Sequence, residues 1–178
     1  YDITVPLTST LCSNGLVVSN CGEQALPPND ACNLGSINLT QYVTPNIAGW
    51  EQVPDGIAWK NLATDVALAV RFLDNVIDLN PIKDPLVQDQ VKASRRIGLG
   101  VMGWADMLIY LGIPYGSEKA RKLAKRMIKF IQITAEQATH QLAKERGVFP
   151  DWETSIYGPA GMNYERRNST LTMMAPTG

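Results

Sequence analysis

Residues 21–39 read CGEQALPPNDACNLGSINL, and this stretch carries most of the chemistry that the sequence predicts. Cys21 and Glu23 stand two positions apart, so an extended backbone would point both side chains to one face, roughly 6 to 7 Å apart. A thiol and a base could then act on one substrate. Cys32 adds a second sulfur, which would share that pocket if the loop at Pro27-Pro28 folds back. The spacing leaves open the alternative of small buried cysteines and a solvated glutamate.

The composition is typical of one globular domain. The chain has 178 residues, of which 45% are apolar, and a net charge of −1. Because there is no basic run, we expect no direct DNA binding by counterion release. Charged residues interrupt the apolar stretches well short of the roughly 20 residues that a membrane span needs, so we expect no membrane insertion. No signal peptide is visible, and we expect a cytoplasmic protein whose two ends continue into a longer chain.

The cysteines and the histidine argue against a metal site. The three cysteines form no CxxC pair, and His140 lies far along the chain from Cys32. A structural zinc ion requires four nitrogen or sulfur ligands in close spacing. We therefore predict reduced, reactive thiols. Cys12 is assigned to packing, and His140 to a surface or hydrogen-bonded position.

The order of elements predicts an α/β fragment that is helix-rich in its middle. Residues 1–20 indicate short strands around a turn at Ser13-Asn14-Gly15, including one at 1–5, and residues 32–42 indicate a further extended segment. Apolar residues at intervals of three and four predict four helices, at 57–79, 87–95, 104–111 and 117–147. Asp55 is placed to cap the first of these helices, and Ser117 and Gly147 to begin and end the last.

The remaining segments are assigned from glycines, alternation and charge. We expect residues 98–103 at a helix end, where small side chains permit close packing. They are not expected to bind a dinucleotide, because no clear strand precedes them and no acidic residue follows at the required distance. Residues 169–174 predict a buried strand. The pairs Arg95-Arg96 and Arg166-Arg167 are more typical of surface charge than of phosphate binding.

Three segments resemble, in order, the catalytic subunit of ribonucleotide reductases. They are residues 21–39, residues 95–106 (RRIGLGVMGWAD) and residues 167–178 (RNSTLTMMAPTG). Chance similarity would not reproduce three ordered matches. The resemblance implies that residues 21–178 are a fragment of the family's ten-stranded α/β barrel, which surrounds a central active-site loop.

The resemblance also implies roles for individual residues. Cys21 matches the cysteine that becomes a thiyl radical and removes the 3′ hydrogen of the ribose, and Glu23 matches the carboxylate that takes the 3′-hydroxyl proton. Cys32 matches one of two cysteines that donate electrons and close to a disulfide, with the partner upstream of this chain. Substrate binding falls to Gly22 and to the start of a phosphate-binding loop, made of Ala175, Pro176, Thr177 and Gly178. We expect the chain alone to be inactive, because the upstream cysteine and most of the barrel are missing.

A cofactor must supply the radical, since no side chain here could generate it. The amino-acid sequence of residues 21–39 is most similar to that of the adenosylcobalamin-dependent class of the family. The alternative is the class in which the radical comes from a di-iron small subunit that carries a tyrosyl radical. The resemblance further implies a ribonucleotide substrate, allosteric nucleotides, thioredoxin or glutaredoxin as reductant, and a dimer. It leaves open whether diphosphates or triphosphates are reduced.

Residues 1–20 resemble the C-terminal end of an intein rather than a reductase. In the reductase family Asn-Pro precedes the active-site cysteine, whereas Ser19-Asn20 stands here. In an intein, Asn20 would cyclise to release the segment, and the Cys21 thiol would accept the upstream chain as a thioester. Histidines common in these motifs are replaced by Ser9 and Ser19. The alternative is a divergent reductase strand.

Two competing hypotheses give the chain another function. In one, the self-splicing element is the functional part and the sequence after it is incidental. In the other, the chain is a non-enzymatic helical interaction module with inert thiols.

Overall fold

The computed structural model describes residues 10–13, 16–19, 26–43 and 54–174. Near the amino end, strands β1 (Thr10–Ser13) and β2 (Leu16–Ser19) pair antiparallel, with Thr10 opposite Ser19. The extended segment predicted around residues 16–18 is therefore present as β2, and β1 is a strand that the sequence did not specify. The strand predicted at residues 1–5 lies outside the described residues.

A parallel strand pair forms the centre of the fold. β3 (Asn33–Asn38) pairs with β4 (Ile97–Met102), from Asn33 opposite Ile97 to Asn38 opposite Met102. On the other side of β4 runs an extended segment at residues 170–173. Its Leu171 carbonyl accepts from the Leu99 N–H at 2.7 Å, and its Met173 N–H donates to the Leu99 carbonyl at 3.2 Å. The α/β class is confirmed. The buried strand predicted at 169–174 is present only as an extended segment with one bridge, Thr172 to Leu99, in which Leu171 is buried. The ten-stranded barrel stays a prediction.

The glycine-rich residues 98–103 are mostly strand, so the expectation of a helix end there is wrong. Ile97 to Gly100 are buried in succession, as in parallel strands covered on both faces. Gly98 and Gly100 thus lie inside β4, not in a strand-to-helix turn. The strand precedes Gly103 alone, so a strand is present where the sequence predicted none.

Four α-helices surround the strands, close to the predicted bounds. They are α1 (Trp59–Leu79), α2 (Pro85–Ser94), α3 (Trp104–Tyr110) and α4 (Glu118–Arg146). The side chain of Ser117 accepts from the Ala120 N–H, and Gly147 with φ of 84° ends α4, both as predicted. The prediction for Asp55 is wrong. Ala58 is the N-cap of α1, and Asp55, in a 3-10 turn at Pro54–Gly56, pairs with Arg126 instead.

The hydrophobic core lies between the strands, α1 and α4. Its members are buried aliphatic side chains one helical turn apart on each helix, facing Ile37 of β3 and Ile97 and Leu99 of β4. On the helices they are Leu62, Val66, Val70, Leu73 and Ile77 of α1 with Met127, Ile131, Ala135 and Leu142 of α4. This packing fixes the two helices against the strand pair, at whose amino end Cys32 lies.

The described helices include none with the length and apolarity that a bilayer crossing requires. Across the same residues there is also no group of three or more His, Cys, Asp or Glu side chains arranged to hold a metal ion.

Candidate active site

Of the predicted catalytic residues, the structure describes Cys32. Cys21, Gly22 and Glu23 lie outside the described residues, as do Asn20 and residues 175–178. The predicted approach of Cys21, Glu23 and Cys32 therefore stays a prediction. What the structure does define is the surroundings of Cys32 and the segment that leads into residues 175–178.

Cys32 is partly buried and directly precedes β3. A tight turn at Pro27–Asp30 brings the chain to it, with the Asp30 N–H donating to the Pro27 carbonyl at 3.2 Å. Pro28 and Asn29 occupy the two central positions, and Asn29 has a φ of 62°. Proline followed by a residue with positive φ is the pattern of a type II turn. The Pro27-Pro28 segment thus reverses the chain immediately before Cys32.

The carboxylate of Asp30 ties this turn to the start of β4. Its side chain has no exposed surface, and Oδ2 pairs with Arg96 Nε at 2.5 Å. Oδ1 accepts from the Ser94 hydroxyl at 3.0 Å and from the Ala31 N–H at 2.9 Å. Charge-assisted hydrogen bonds of this kind are stronger than neutral ones. The loop before Cys32 is therefore anchored to the junction between α2 and β4.

A second buried carboxylate, Asp74 of α1, is the centre of a larger ionic network. Its Oδ1 accepts from Arg95 Nε at 3.0 Å, from Arg95 Nη2 at 2.8 Å and from Asn168 Nδ2 at 2.9 Å. Its Oδ2 accepts from Arg146 Nη1 at 3.0 Å. Arg95 also donates to both carboxylate oxygens of Asp78, at 2.8 and 2.9 Å. The network joins α1, the start of β4, the end of α4 and the segment before residue 170.

Arg95 and Asp78 favour each other's charged form. The hydrogen bond from Arg95 lowers the pKa of Asp78. Burial opposes the charged form of Arg95, but the hydrogen bonds with Asp78 and Asp74 outweigh burial and raise the pKa of Arg95. For Arg167, burial and the nearby charge of Arg95 lower the pKa. One compact cluster thus carries opposite charges that would be costly to bury singly.

Neither arginine pair is surface charge, so that part of the sequence interpretation is wrong. Arg95 is 4% exposed and Arg166 5%, while Arg96 and Arg167 are partly buried. The guanidinium of Arg166 lies 4.1 Å from the centre of the Tyr157 ring, and burial lowers its pKa. The signal for the network was Asp74 itself, a charged residue within the apolar stripe of α1.

Asn168 holds the segment that leads towards residues 175–178. Its side-chain oxygen accepts from the Thr139 hydroxyl at 3.0 Å, and its amide donates to Asp74 and to the Arg95 carbonyl. Two residues later the chain begins to bond to β4. The Asp74 network therefore fixes the direction in which residues 170–174 leave the core.

His140 takes the hydrogen-bonded position that the sequence predicts. Its Nδ1 lies 2.7 Å from the Glu165 carbonyl oxygen, and its ring stacks on Tyr164 with centroids 5.3 Å apart.

Comparison with known proteins identifies the fold. The family described as "Ribonucleotide reductase, barrel domain" matches residues 9–166. This range contains the segments 21–39 and 95–106 that suggested the family, and it also takes in residues 9–20.

The curated relatives carry reductase names. Two are called "Vitamin B12-dependent ribonucleoside-diphosphate reductase". The relative from Thermoplasma acidophilum is 45% identical over 160 residues, which cover 89% of this chain and 19% of the relative. The relative from Mycobacterium tuberculosis is 44% identical over 159 residues, which cover 89% of this chain and 21% of the relative. A "Ribonucleoside-diphosphate reductase subunit alpha" of Chlamydia trachomatis is 39% identical over 147 residues, which cover 83% of this chain and 13% of the relative. The chain thus spans about a fifth of the length of the first two relatives.

A solved structure agrees with these matches. The "Actinobacillus ureae class Id ribonucleotide reductase alpha subunit" superposes with a TM-score of 0.59 at 25% identity, covering 82% of this chain and 25% of that chain. Family, relatives and structure agree on the reductase fold, and the family range contains two of the three ordered segments, residues 21–39 and 95–106. The chain therefore belongs to the barrel-domain family of ribonucleotide reductases.

Proposed function

We propose that this chain is part of the catalytic subunit of an adenosylcobalamin-dependent ribonucleoside-diphosphate reductase, which makes 2′-deoxyribonucleotides for DNA synthesis. The observation that carries the proposal is the 45% identity, over 89% of the chain, to the vitamin B12-dependent enzyme of Thermoplasma acidophilum. The reaction replaces the 2′-hydroxyl of a ribonucleotide by hydrogen. Two thiols become a disulfide, the substrate takes up two electrons and two protons, and the hydroxyl leaves as water.

Three residues divide this chemistry between them. Cys21, as a thiyl radical, takes the 3′ hydrogen from the ribose and returns it after the reduction. Glu23 accepts the 3′-hydroxyl proton, which eases loss of the 2′-hydroxyl. Cys32 and an upstream cysteine supply the two electrons. The partly buried position of Cys32 at the start of β3, on a loop anchored through Asp30, supports this role because a redox thiol must keep a fixed position.

Substrate phosphate would bind at residues 175–178 and the sugar near Gly22. The support is the resemblance of residues 167–178 to the family, together with the hydrogen bonds that hold residues 170–173 against β4. Backbone N–H groups in a turn that contains proline and glycine can bind an anion.

Two cavities near β4 are too small for a corrin. They lie next to β4, α3 and α4 and have volumes of 190 and 320 Å³. These volumes are at or below the lower end for drug-sized ligands, and a corrin with its adenosyl group is larger than such a ligand. When bound, adenosylcobalamin supplies the radical that the side chains cannot generate. The cofactor assignment rests on the relatives' names.

The test is nucleotide reduction by the full-length protein, with ribonucleoside diphosphate and dithiothreitol, in the presence and absence of adenosylcobalamin. We expect deoxynucleotide only with the cofactor. Activity that instead requires a di-iron small subunit would move the protein to the alternative class, which the name of the Chlamydia relative leaves open. No activity under either condition would contradict the proposal.

Other features follow from the same proposal. The full-length protein would be cytoplasmic, accept electrons from thioredoxin or glutaredoxin, bind allosteric nucleotides and form a dimer. Each is a property proposed for the whole protein, of which this chain is one part.

We also propose that residues 1–20 are the end of an intein and residues 21–178 the following extein. The hairpin of β1 and β2, which ends at Ser19, supports a compact β unit directly before Asn20. The family match at residues 9–20 favours the alternative of a reductase strand. Intact mass of a longer precursor distinguishes them, since splicing removes a segment that ends at Asn20 and joins the upstream chain to Cys21. A precursor of unchanged mass would contradict splicing.

A further inference from the structure

An ion pair between two chain segments lies beside Cys32. We infer that Asp30 and Arg96 are positioning residues, which hold Cys32 at the amino end of β3 and thereby favour closure of its disulfide. The inference rests on the proposed redox role of Cys32 and adds to it the two residues that set the position of the thiol.

The strand register brings the ion pair level with the cysteine. Asn33 is opposite Ile97 in the parallel pair, so Cys32 and Arg96 are the residues that enter the two strands. Neighbouring strands lie about 4.8 Å apart. Asp30 stands two residues before Cys32, and its carboxylate reaches across to Arg96 Nε at 2.5 Å. The pair therefore links the two chain segments at the level of Cys32.

Both ends of the link are fixed. The Asp30 side chain has no exposed surface, and the Ser94 hydroxyl and the Ala31 N–H hold its second oxygen. On the other side, Arg96 follows Arg95, which is 4% exposed and bonded to Asp74. Arg95 cannot shift without breaking the buried network. The anchor for the Cys32 loop is thus rigid.

Rigidity at this place matters for a disulfide. The bond requires Cβ atoms about 3.5 to 4.5 Å apart and a narrow range of dihedral angles. A thiol held near that geometry has a higher effective concentration towards its partner than a thiol on a loose loop. Loss of the anchor is therefore expected to shift the equilibrium from the disulfide towards the two thiols.

The test measures this equilibrium in the full-length protein. The protein is equilibrated in mixtures of reduced and oxidised dithiothreitol, its thiols are trapped by alkylation, and mass spectrometry gives the fraction of Cys32 in a disulfide. In this exchange the protein dithiol passes two electrons and two protons to oxidised dithiothreitol. We expect Arg96→Gln and Asp30→Asn to lower the ratio of disulfide to dithiol about tenfold, which corresponds to about 30 mV for a two-electron couple.

Two further variants separate positioning from stability. Arg96→Lys keeps a positive donor and is expected to restore part of the ratio. Arg71→Gln removes the pair with Glu145, which is partly exposed and joins α1 to α4, and is expected to leave the ratio unchanged. Thermal unfolding is recorded for each variant, because a purely structural role would lower the unfolding temperature without moving the ratio. Arg96 is 21% exposed, so Arg96→Gln carries the test even if Asp30→Asn does not fold.

The outcomes distinguish the positioning role of Asp30 and Arg96 from the proposed redox role of Cys32. A folded Arg96→Gln variant whose ratio stays within about twofold of the wild type overturns the positioning role alone. A wild-type protein in which Cys32 enters no disulfide in any dithiothreitol mixture overturns the proposed redox role, and the positioning role with it.

Discussion

Arg95 and Asp74 form a salt bridge of 2.8 Å between side chains that are 4% and 0% exposed. Asp74 contacts three further residues, from α4 and from the segment before residue 170. One carboxylate thus joins parts of the chain that the sequence keeps far apart.

Replacement of Asp74 by asparagine should destabilise the fold strongly. The substitution keeps the size of the side chain but removes the buried counter-charge of Arg95, which then keeps only the half-exposed Asp78; loss of a buried partner costs about 3 to 5 kcal/mol. Denaturant unfolding of the full-length protein measures this loss. Asp78→Asn is the matched control, because Asp78 also pairs with Arg95 but is 47% exposed. Equal losses for the two variants would show that burial of Asp74 is not what makes it important.

Acid should weaken the fold through Asp78. The hydrogen bond from Arg95 lowers the pKa of Asp78 below its ordinary value of 3.8. The folded state therefore binds this proton less readily than the unfolded state. The stabilisation is complete above the unfolded pKa and is lost as the pH falls through the lower folded pKa.

Unfolding temperatures measured from pH 7 to pH 3 test this. The wild type should lose stability below about pH 4 more steeply than Asp78→Asn, which has no such proton to bind. Parallel curves for the two proteins would contradict it.

A methyl group at position 98 should disturb the strand pair, whereas one at position 35 should not. A Cβ on Gly98 would collide with the side chain of Met173 and lie 2.9 Å from Leu34 Cδ2. A Cβ on Gly35 would be in ordinary contact with Leu73, at 3.6 Å. Overpacking of a filled core costs about 1 to 3 kcal/mol.

We expect Gly98→Ala to lower the unfolding temperature and Gly35→Ala to change it little. Met173→Ala added to Gly98→Ala should recover part of the loss, since it removes the colliding atoms. Absence of any recovery in the double variant would indicate a backbone cause instead.

Catalysis should distinguish Cys21 from Cys12. In the full-length enzyme, Cys21→Ala is expected to abolish deoxynucleotide formation, because no other group can carry the radical. Glu23→Gln should slow turnover by about 10²- to 10⁴-fold, as for the loss of a general base. Cys12→Ala is the control and should retain activity. Product is measured by chromatography of the nucleosides, and full activity of Cys21→Ala would exclude the proposed mechanism.

Local signals in the sequence were sufficient for the helices. Ser117 begins α4 and Gly147 ends it, because each satisfies backbone groups at a helix end without help from distant residues. The sequence predicted a helix end at residues 98–103, where the structure has β4. The strand residues IGLGVM are apolar without alternation, and length and periodicity cannot distinguish such a buried strand from a helix end. Its strand character depends on β3 and on residues 170–173, which flank it from far along the chain.

The candidate site was predictable by resemblance and only partly by pattern. The extended segment predicted at residues 32–42 is present as β3, Asn33–Asn38, but its second part is wrong, because Asn38 caps a 3-10 helix at Leu39–Tyr42. The sequence pattern does not predict the burial of Arg95 and of Asp30, since their partners Asp74 and Arg96 lie 21 and 66 residues away. A charged residue within an apolar helix stripe, as at Asp74, is the one local sign that such partners exist.

The span between Asp74 and its partners has a consequence for synthesis of the chain. Asn168 leaves the ribosome 94 residues after Asp74. At about 5 to 20 residues per second this delay is roughly 5 to 19 s. Until then, Asp74 can pair with Arg95 but lacks the hydrogen bond from the Asn168 amide. We therefore expect the buried network to be completed only after translation has passed residue 168, and a pause before that codon to prolong the incomplete state.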